Sequence, residues 1–223
     1  MRIHIITLIL DDILVNMEFL RRQLTEESSF ITEYIVRELK MIKGLPYLGC
    51  ERLNLICKTD DIKPSITKFN SIWQLDVLFD MSYFSFEPKQ KREYLYHLIY
   101  EALQSLVLEM QMDFTPFQLI LDKLKQNDFM VDFYTKCKCK KGNYTARLYC
   151  VQNMKTSTFY VEITRKKALV CKVPLFDTKP NIMNYDRYLG ELLWDDQEVI
   201  FLVDKNKQVF QRLNIMPYIS KDE

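Results

Sequence analysis

Residues 133–150 read FYTKCKCKKGNYTARLYC, and their periodicity decides the fold of the second half of the chain. Side chains alternate across a strand with period two. Phe133, Thr135, Cys137 and Cys139 therefore share one face, and Tyr134, Lys136, Lys138 and Lys140 share the other. Lys141, Gly142 and Asn143 carry turn chemistry, after which Tyr144, Ala146, Leu148 and Cys150 restore the inward pattern. A third strand follows in TFYVEITRK, with Phe159, Val161 and Ile163 inward. A fourth follows in ALVCKVPL, with Leu169, Cys171 and Val173 inward. Consecutive strands joined by short polar turns make an antiparallel meander. Residues 185–194 read as a short helix, and EVIFLVDKNKQVFQRLNI closes the chain as a hairpin.

Upstream, the period is mostly helical. MRIHIITL reads as a strand. In DDILVNMEFLRRQL, Ile13, Met17, Leu20 and Leu24 fall on one helical face, with Asp11 or Asp12 as cap. A second helix fits SSFITEYIVRELKMIKG, with Ile31, Ile35, Leu39 and Ile42 as its stripe, Gly44 as its stop and Pro46 beyond. The segment TEES is expected to join the two as an antiparallel pair. Alternation places strands in ERLNLICKT (Leu53, Leu55, Cys57) and SIWQLDVLFDMSYF (Trp73, Leu75, Val77, Phe79). Pro88 opens a long helix with a broad apolar face from Leu95 to Met110. Thr115 and Pro116 open another in TPFQLILDKLKQN.

The expected class is α+β, with helices mainly in the N-terminal half and an antiparallel β-meander in the C-terminal half. The chain is read as a single α+β domain, 1–223, with a possible subdivision near residue 128. Residues 1–128 would then be helix-rich, and residues 129–223 would form the antiparallel sheet. The strands of the first half either join the C-terminal sheet or form a small one of their own.

Composition narrows the function. The 223 residues are 48% hydrophobic and 27% charged, with a net charge of +1, ordinary values for a soluble globular chain. There are 4 glycines, and neither GxGxxG nor GxxxxGK[ST] occurs. Phosphate-cradling loops need glycines for close backbone approach, so the sequence argues against the familiar nucleotide folds. The apolar opening is short and stopped by two aspartates, unlike a signal peptide, and no stretch approaches the ~20 apolar residues that span a bilayer. A cytoplasmic protein with no membrane partner is expected, so the six cysteines are read as thiols.

Four of those cysteines, Cys137, Cys139, Cys150 and Cys171, fall on the apolar face. A Cys₄ zinc site is one reading. Cys137 and Cys139 lie two apart on a strand, however, and no CxxC knuckle is present, so core thiols are the reading adopted, with no metal and no cofactor. His4 and His97 are the only histidines, and nothing sets either beside a cysteine. The pairs Asp11–Asp12, Asp60–Asp61 and Asp195–Asp196 read as caps and turns. HExxH, GxSxG and kinase signatures are absent.

Between Tyr134 and Lys172 stand ten basic residues, Lys136, Lys138, Lys140 and Arg147 among them, against the single acid Glu162. Tyr134, Tyr149 and Tyr160 interleave with them. The face suits solvent, an acidic protein surface, or a phosphate backbone with stacked bases. Beyond it the charge reverses, in a stretch from Asp186 to Glu198 that contains Trp194, Asp195 and Asp196.

The block WQLDVLFDMSYFSFEPKQKREYLYHLIYEALQSL, Trp73 to Leu106, joins a strand with an Asp-rich end to an aromatic turn and a Lys/Glu helix with a leucine stripe. It resembles a segment of the small cytoplasmic immunity proteins of bacterial polymorphic-toxin and contact-dependent systems, over about a sixth of the chain. The resemblance implies a binding protein without chemistry of its own that blocks a cognate toxin. Tyr134, Lys136, Lys138, Lys140, Arg147, Tyr149 and Tyr160 would then meet an acidic toxin surface, since Tyr and Arg are enriched at interface hot spots. Against a basic toxin surface, Trp194, Asp195 and Asp196 are the candidates. The alternative function is a nucleic-acid-binding module that uses the basic sheet face.

Overall fold

In a computed structural model, which describes residues 3–11, 17–42, 49–59, 65–196 and 198–218, the apolar alternation at the start of the chain becomes a parallel sheet. β1 (Ile5–Leu10) pairs in parallel with β2 (Arg52–Lys58), and β2 in parallel with β4 (Ile72–Leu78); β3 (Ile66–Phe69) runs antiparallel on the far side of β4. Parallel strands need a crossover, and α1 (Glu18–Met41) supplies it between β1 and β2. On the three parallel strands one face is apolar, with Leu8, Leu10, Leu53, Leu55, Cys57, Trp73, Leu75 and Val77 all buried, and Lys68 on β3 stands beside Trp73 on that face. The N-terminal strands therefore form a sheet of their own, within a compact unit spanning Met1–Phe129; a second unit spans Met130–Glu223.

The expected pair of N-terminal helices is a single helix. Thr25–Ser28 lie in the middle of α1, which runs 24 residues without a break. The polar run is tolerated because its groups find partners. Ser28, Ser29 and Thr32 return their hydroxyls to carbonyls one turn back, at 3.4, 2.9 and 3.2 Å. Glu27 is held from outside the helix: Lys91 Nζ donates to both its oxygens at 3.0 and 3.2 Å, and the Tyr83 hydroxyl donates at 2.6 Å. The proposed cap Asp12, the stripe residue Ile13, the stop Gly44, Pro46 and the pair Asp60–Asp61 lie outside the described residues.

α2 (Pro88–Glu109) starts at a capping box, in which the Glu87 and Gln90 side chains satisfy each other's backbone N–H groups. It buries Leu95, Leu98, Ile99, Ala102, Leu103, Leu106 and Val107, while Met110 stays half-buried. α3 (Thr115–Gln126) is entered differently from the expected Thr115 cap. Asp113 accepts from both the N–H and the hydroxyl of Thr115, at 2.9 and 2.7 Å.

The second unit is a meander of β5 (Val131–Lys141), β6 (Tyr144–Gln152), β7 (Ser157–Arg165) and β8 (Ala168–Thr178), antiparallel throughout. After α4 (Ile182–Tyr185), strands β9 (Glu191–Trp194), β10 (Val199–Val203) and β11 (Val209–Asn214) make a second antiparallel sheet in the order β11-β10-β9. The short helix expected at 185–194 is found only at its start: α4 ends at Tyr185 and a 3₁₀ turn follows at Asp186–Tyr188, while 191–194 pair as a strand with β10. Leu192 is buried there with Leu202, which a strand of period two allows. Ala146, Leu148, Cys150, Phe159, Val161 and Ile163 from the first sheet pack with Leu192, Ile200 and Leu202 from the second. The fold is α+β, with its helices mostly N-terminal and a strand meander in the C-terminal half.

Candidate functional site

The outer face of the meander is ordered in rows by the strand register. Tyr134, Tyr149 and Tyr160 stand side by side on β5, β6 and β7, followed by Pro174 on β8. The next row is Lys138, Arg147, Glu162 and Lys172, and the one beyond is Lys140, Thr145, Thr164 and Leu169. On the other side of the tyrosines lie Asp132, Val151, Thr158 and Asp177. An aromatic row therefore separates an acidic end from a basic one.

Each tyrosine is held by neighbours. The Tyr134 hydroxyl donates to Glu162 Oε1 at 2.5 Å, and the Tyr149 hydroxyl donates to Asp132. The Tyr134 and Tyr149 ring centres are 5.1 Å apart. Lys172 Nζ sits 3.8 Å from the Tyr149 ring centre and 4.6 Å from that of Tyr160; the Arg147 guanidinium lies 5.5 Å from Tyr134. The hydrogen bond to Glu162 pushes the Tyr134 phenol above its ordinary pKa, and burial followed by the Asp132 hydrogen bond does the same for Tyr149. Both phenols stay neutral donors at physiological pH. Arg147 and Lys172 are therefore ring partners, while Lys136, Lys138 and Lys140 are exposed and form no ion pair with a described residue.

Two register shifts change what the sequence alone suggests. Between Tyr134 and Lys138 the ladder is interrupted, so Lys136 lies on a bulge and has no cross-strand partner on β6. On β8, Ile163 pairs with Cys171 but Thr164 pairs with Leu169, so Val170 is the extra residue. Leu169, expected on the inward face, is instead turned to the outer one and is 61% exposed. A one-residue slip moves every later side chain to the opposite face.

The acidic candidates are committed to their own turn. Trp194 Nε1 donates to Glu198 Oε2 at 2.8 Å, and Lys141 Nζ donates to Glu198 Oε1 and to the Asp195 carbonyl at 2.8 and 2.7 Å. The Asp195 carboxylate accepts from the Val199 N–H at 2.8 Å. The bond from Lys141 holds the Glu198 carboxyl below its ordinary pKa. Asp186 and Glu191 are paired with Lys205 and Lys207. Asp196 is exposed. The structure thus brings Tyr134, Lys138, Arg147, Tyr149 and Tyr160 together and places Trp194, Asp195 and Asp196 in a separate turn.

Cys137 and Cys150 belong to the core of this unit, with Cys139 and Cys171 packed against it. Burial raises the Cys139 thiol to about 11 and also raises Cys137 and Cys171. Among the described residues no group of three or more His, Cys, Asp or Glu is placed to hold a metal ion, and no helix is long and apolar enough to cross a membrane. Sequence reasoning missed Asp132, Glu162 and Lys172 as partners of the tyrosines. Their alternation put them outward, but only the register makes them neighbours. Comparison with models of protein families, with curated proteins and with solved structures finds no match.

Proposed function

We propose that this chain is a cytoplasmic binding protein, an immunity-type inhibitor that neutralises a toxin by direct contact through the outer face of the β5–β8 sheet. The observation that carries this reading is the row Tyr134–Tyr149–Tyr160. Three half-exposed rings lie on adjacent strands and are held in place by Glu162, Asp132, Arg147 and Lys172. Ordered aromatic side chains lose little freedom on binding, and Tyr and Arg are enriched among hot spots. The exposed lysines on β5 suit an acidic partner.

A second reading, a nucleic-acid module, draws on those same lysines. Stacking of bases would need open ring faces, and the cations over the rings count against it. The test is capture of the partner from the native host with nuclease treatment, followed by titration with the identified protein. Tyr134→Ala should cost about 2 kcal/mol, roughly thirtyfold in affinity, with the fold intact. Binding that survives nuclease but ignores Tyr134→Ala and Tyr160→Ala rejects the interface. Binding lost to nuclease, abolished by Lys136→Glu with Lys138→Glu and steeply dependent on salt selects nucleic acid.

A further inference from the structure

The inward rows of β6 and β7 end on polar residues. Period two runs through Ala146, Leu148 and Cys150 on β6 and reaches Gln152; on β7 it starts at Ser157 and continues through Phe159, Val161 and Ile163. Gln152 and Ser157 face each other across the ladder, with Val131 beside one and Thr178 beside the other. Both are 0% exposed, where a polar side chain is costly unless its bonds are made. The Asn153 N–H donates to the Thr156 carbonyl at 2.9 Å, so Asn153 and Thr156 form a hydrogen-bonded pair. Such pairs alternate with non-hydrogen-bonded ones along an antiparallel ladder. Gln152 and Ser157 are therefore of the second kind, whose side chains stand closer together.

Gln152 uses one end of its amide: Nε2 donates to the Pro180 carbonyl at 3.0 Å. A carbonyl only accepts, so it fixes which end of the amide is nitrogen and turns Oε1 elsewhere. Among the described residues neither Gln152 Oε1 nor Ser157 Oγ has a hydrogen-bond partner, and both atoms are shut off from bulk solvent. Buried polar atoms are almost always paired, with protein or with ordered water, because an unmade bond leaves the desolvation of the group uncompensated.

We infer that one internal water molecule is bound between Gln152 Oε1 and Ser157 Oγ. Water suits this pair. It donates to the amide oxygen, and it either accepts from the hydroxyl or donates to it. Thr178, half-buried and next in the same row, offers a third polar group, and internal waters make about three bonds. A metal cation needs more oxygens, with negative charge among them, than one amide and one hydroxyl supply. The place gives this water a consequence. Gln152 pins Pro180 just ahead of α4, and Tyr185 at the end of α4 packs on Phe159 with ring centres 5.2 Å apart. The water thus holds the amide that anchors the crossing from the first sheet of this unit to the second.

The test uses the full chain. A crystal structure of the wild type should show one water within about 3 Å of both Gln152 Oε1 and Ser157 Oγ. In solution, oxygen-17 magnetic relaxation dispersion should lose the amplitude of one long-lived water in Ser157→Ala, with circular dichroism unchanged. Gln152→Met should lose the same amplitude, and the double variant no more than either, since a single molecule is shared. Equal amplitudes in the wild type and Ser157→Ala overturn the inference, and so does a double variant that loses twice as much. A wild-type crystal in which the Ser157 hydroxyl donates directly to Gln152 Oε1, or in which the two atoms face only carbon, overturns it too. That crystal decides the matter even where a variant fails to fold.

Discussion

Gly190 opens β9 where the chain comes so close to a neighbouring strand that no side chain fits. A Cβ there would stand 2.3 Å from the Asp204 carbonyl oxygen and 2.4 Å from that of Val203. Both are backbone atoms, so relief requires moving a strand. The Gly190 N–H also donates to the Val203 carbonyl at 3.1 Å, and the Cys137 thiol to the Gly190 carbonyl at 3.4 Å. Gly190→Ala is therefore expected to destabilise the second unit by about 1–3 kcal/mol, read as a lower denaturant midpoint with an unchanged slope. A shift within error would show that β9 yields freely. At the same scale, Glu162 is the one acid of the basic stretch, and its use is local: it fixes the Tyr134 hydroxyl.

The β9–β10 turn shows how an element is held by charge. Glu198 accepts from Lys141 on β5 and from the Trp194 indole, so one carboxylate ties the turn to the neighbouring sheet. Its pKa is depressed in the folded state. A depressed carboxyl contributes stability that is present above its unfolded value of 4.5 and is lost as pH falls through the folded value. The turn should therefore loosen only in acid, below the ordinary glutamate range. Trp194 emission, followed in a Trp73→Phe background, should shift there, and Glu198→Gln should give that shifted emission at neutral pH. An acid shift that persists in Glu198→Gln would assign it to another group.

On the scale of the whole molecule, the chain carries two cores, one in each unit. Its two tryptophans fall one to each: Trp73 on β4 and Trp194 on β9. Each core buries its own aliphatic rows, and no disulfide ties either, since all six cysteines are free thiols. The variants Trp73→Phe and Trp194→Phe then report one unit each in denaturant. Distinct midpoints are expected, with neither altered by reductant. Coincident curves from both variants would mean that the units unfold as one cooperative whole.

Much of this architecture was legible in the sequence. Period two marked β5 to β8 and the β10–β11 hairpin, and the helical stripe of α2 marked its buried face, because side-chain direction follows from local backbone geometry alone. The alternation of Tyr134, Tyr149 and Tyr160 against Cys137 and Cys150 was local in the same way. The TEES segment was misread because its polarity is local while its partners, Lys91 and Tyr83, lie far along the chain. Leu169 was misplaced because a bulge depends on what the neighbouring strand does, and the pairing of Glu162 with Tyr134 and of Asp132 with Tyr149 depends on register. The amino-acid order by itself determined the inward rows of β5 to β7 and the apolar stripe of α2, which follow from local backbone geometry. The tertiary structure alone decided which of them stand next to one another, since hydrogen-bond register, crossover direction and free edges arise only when distant strands meet.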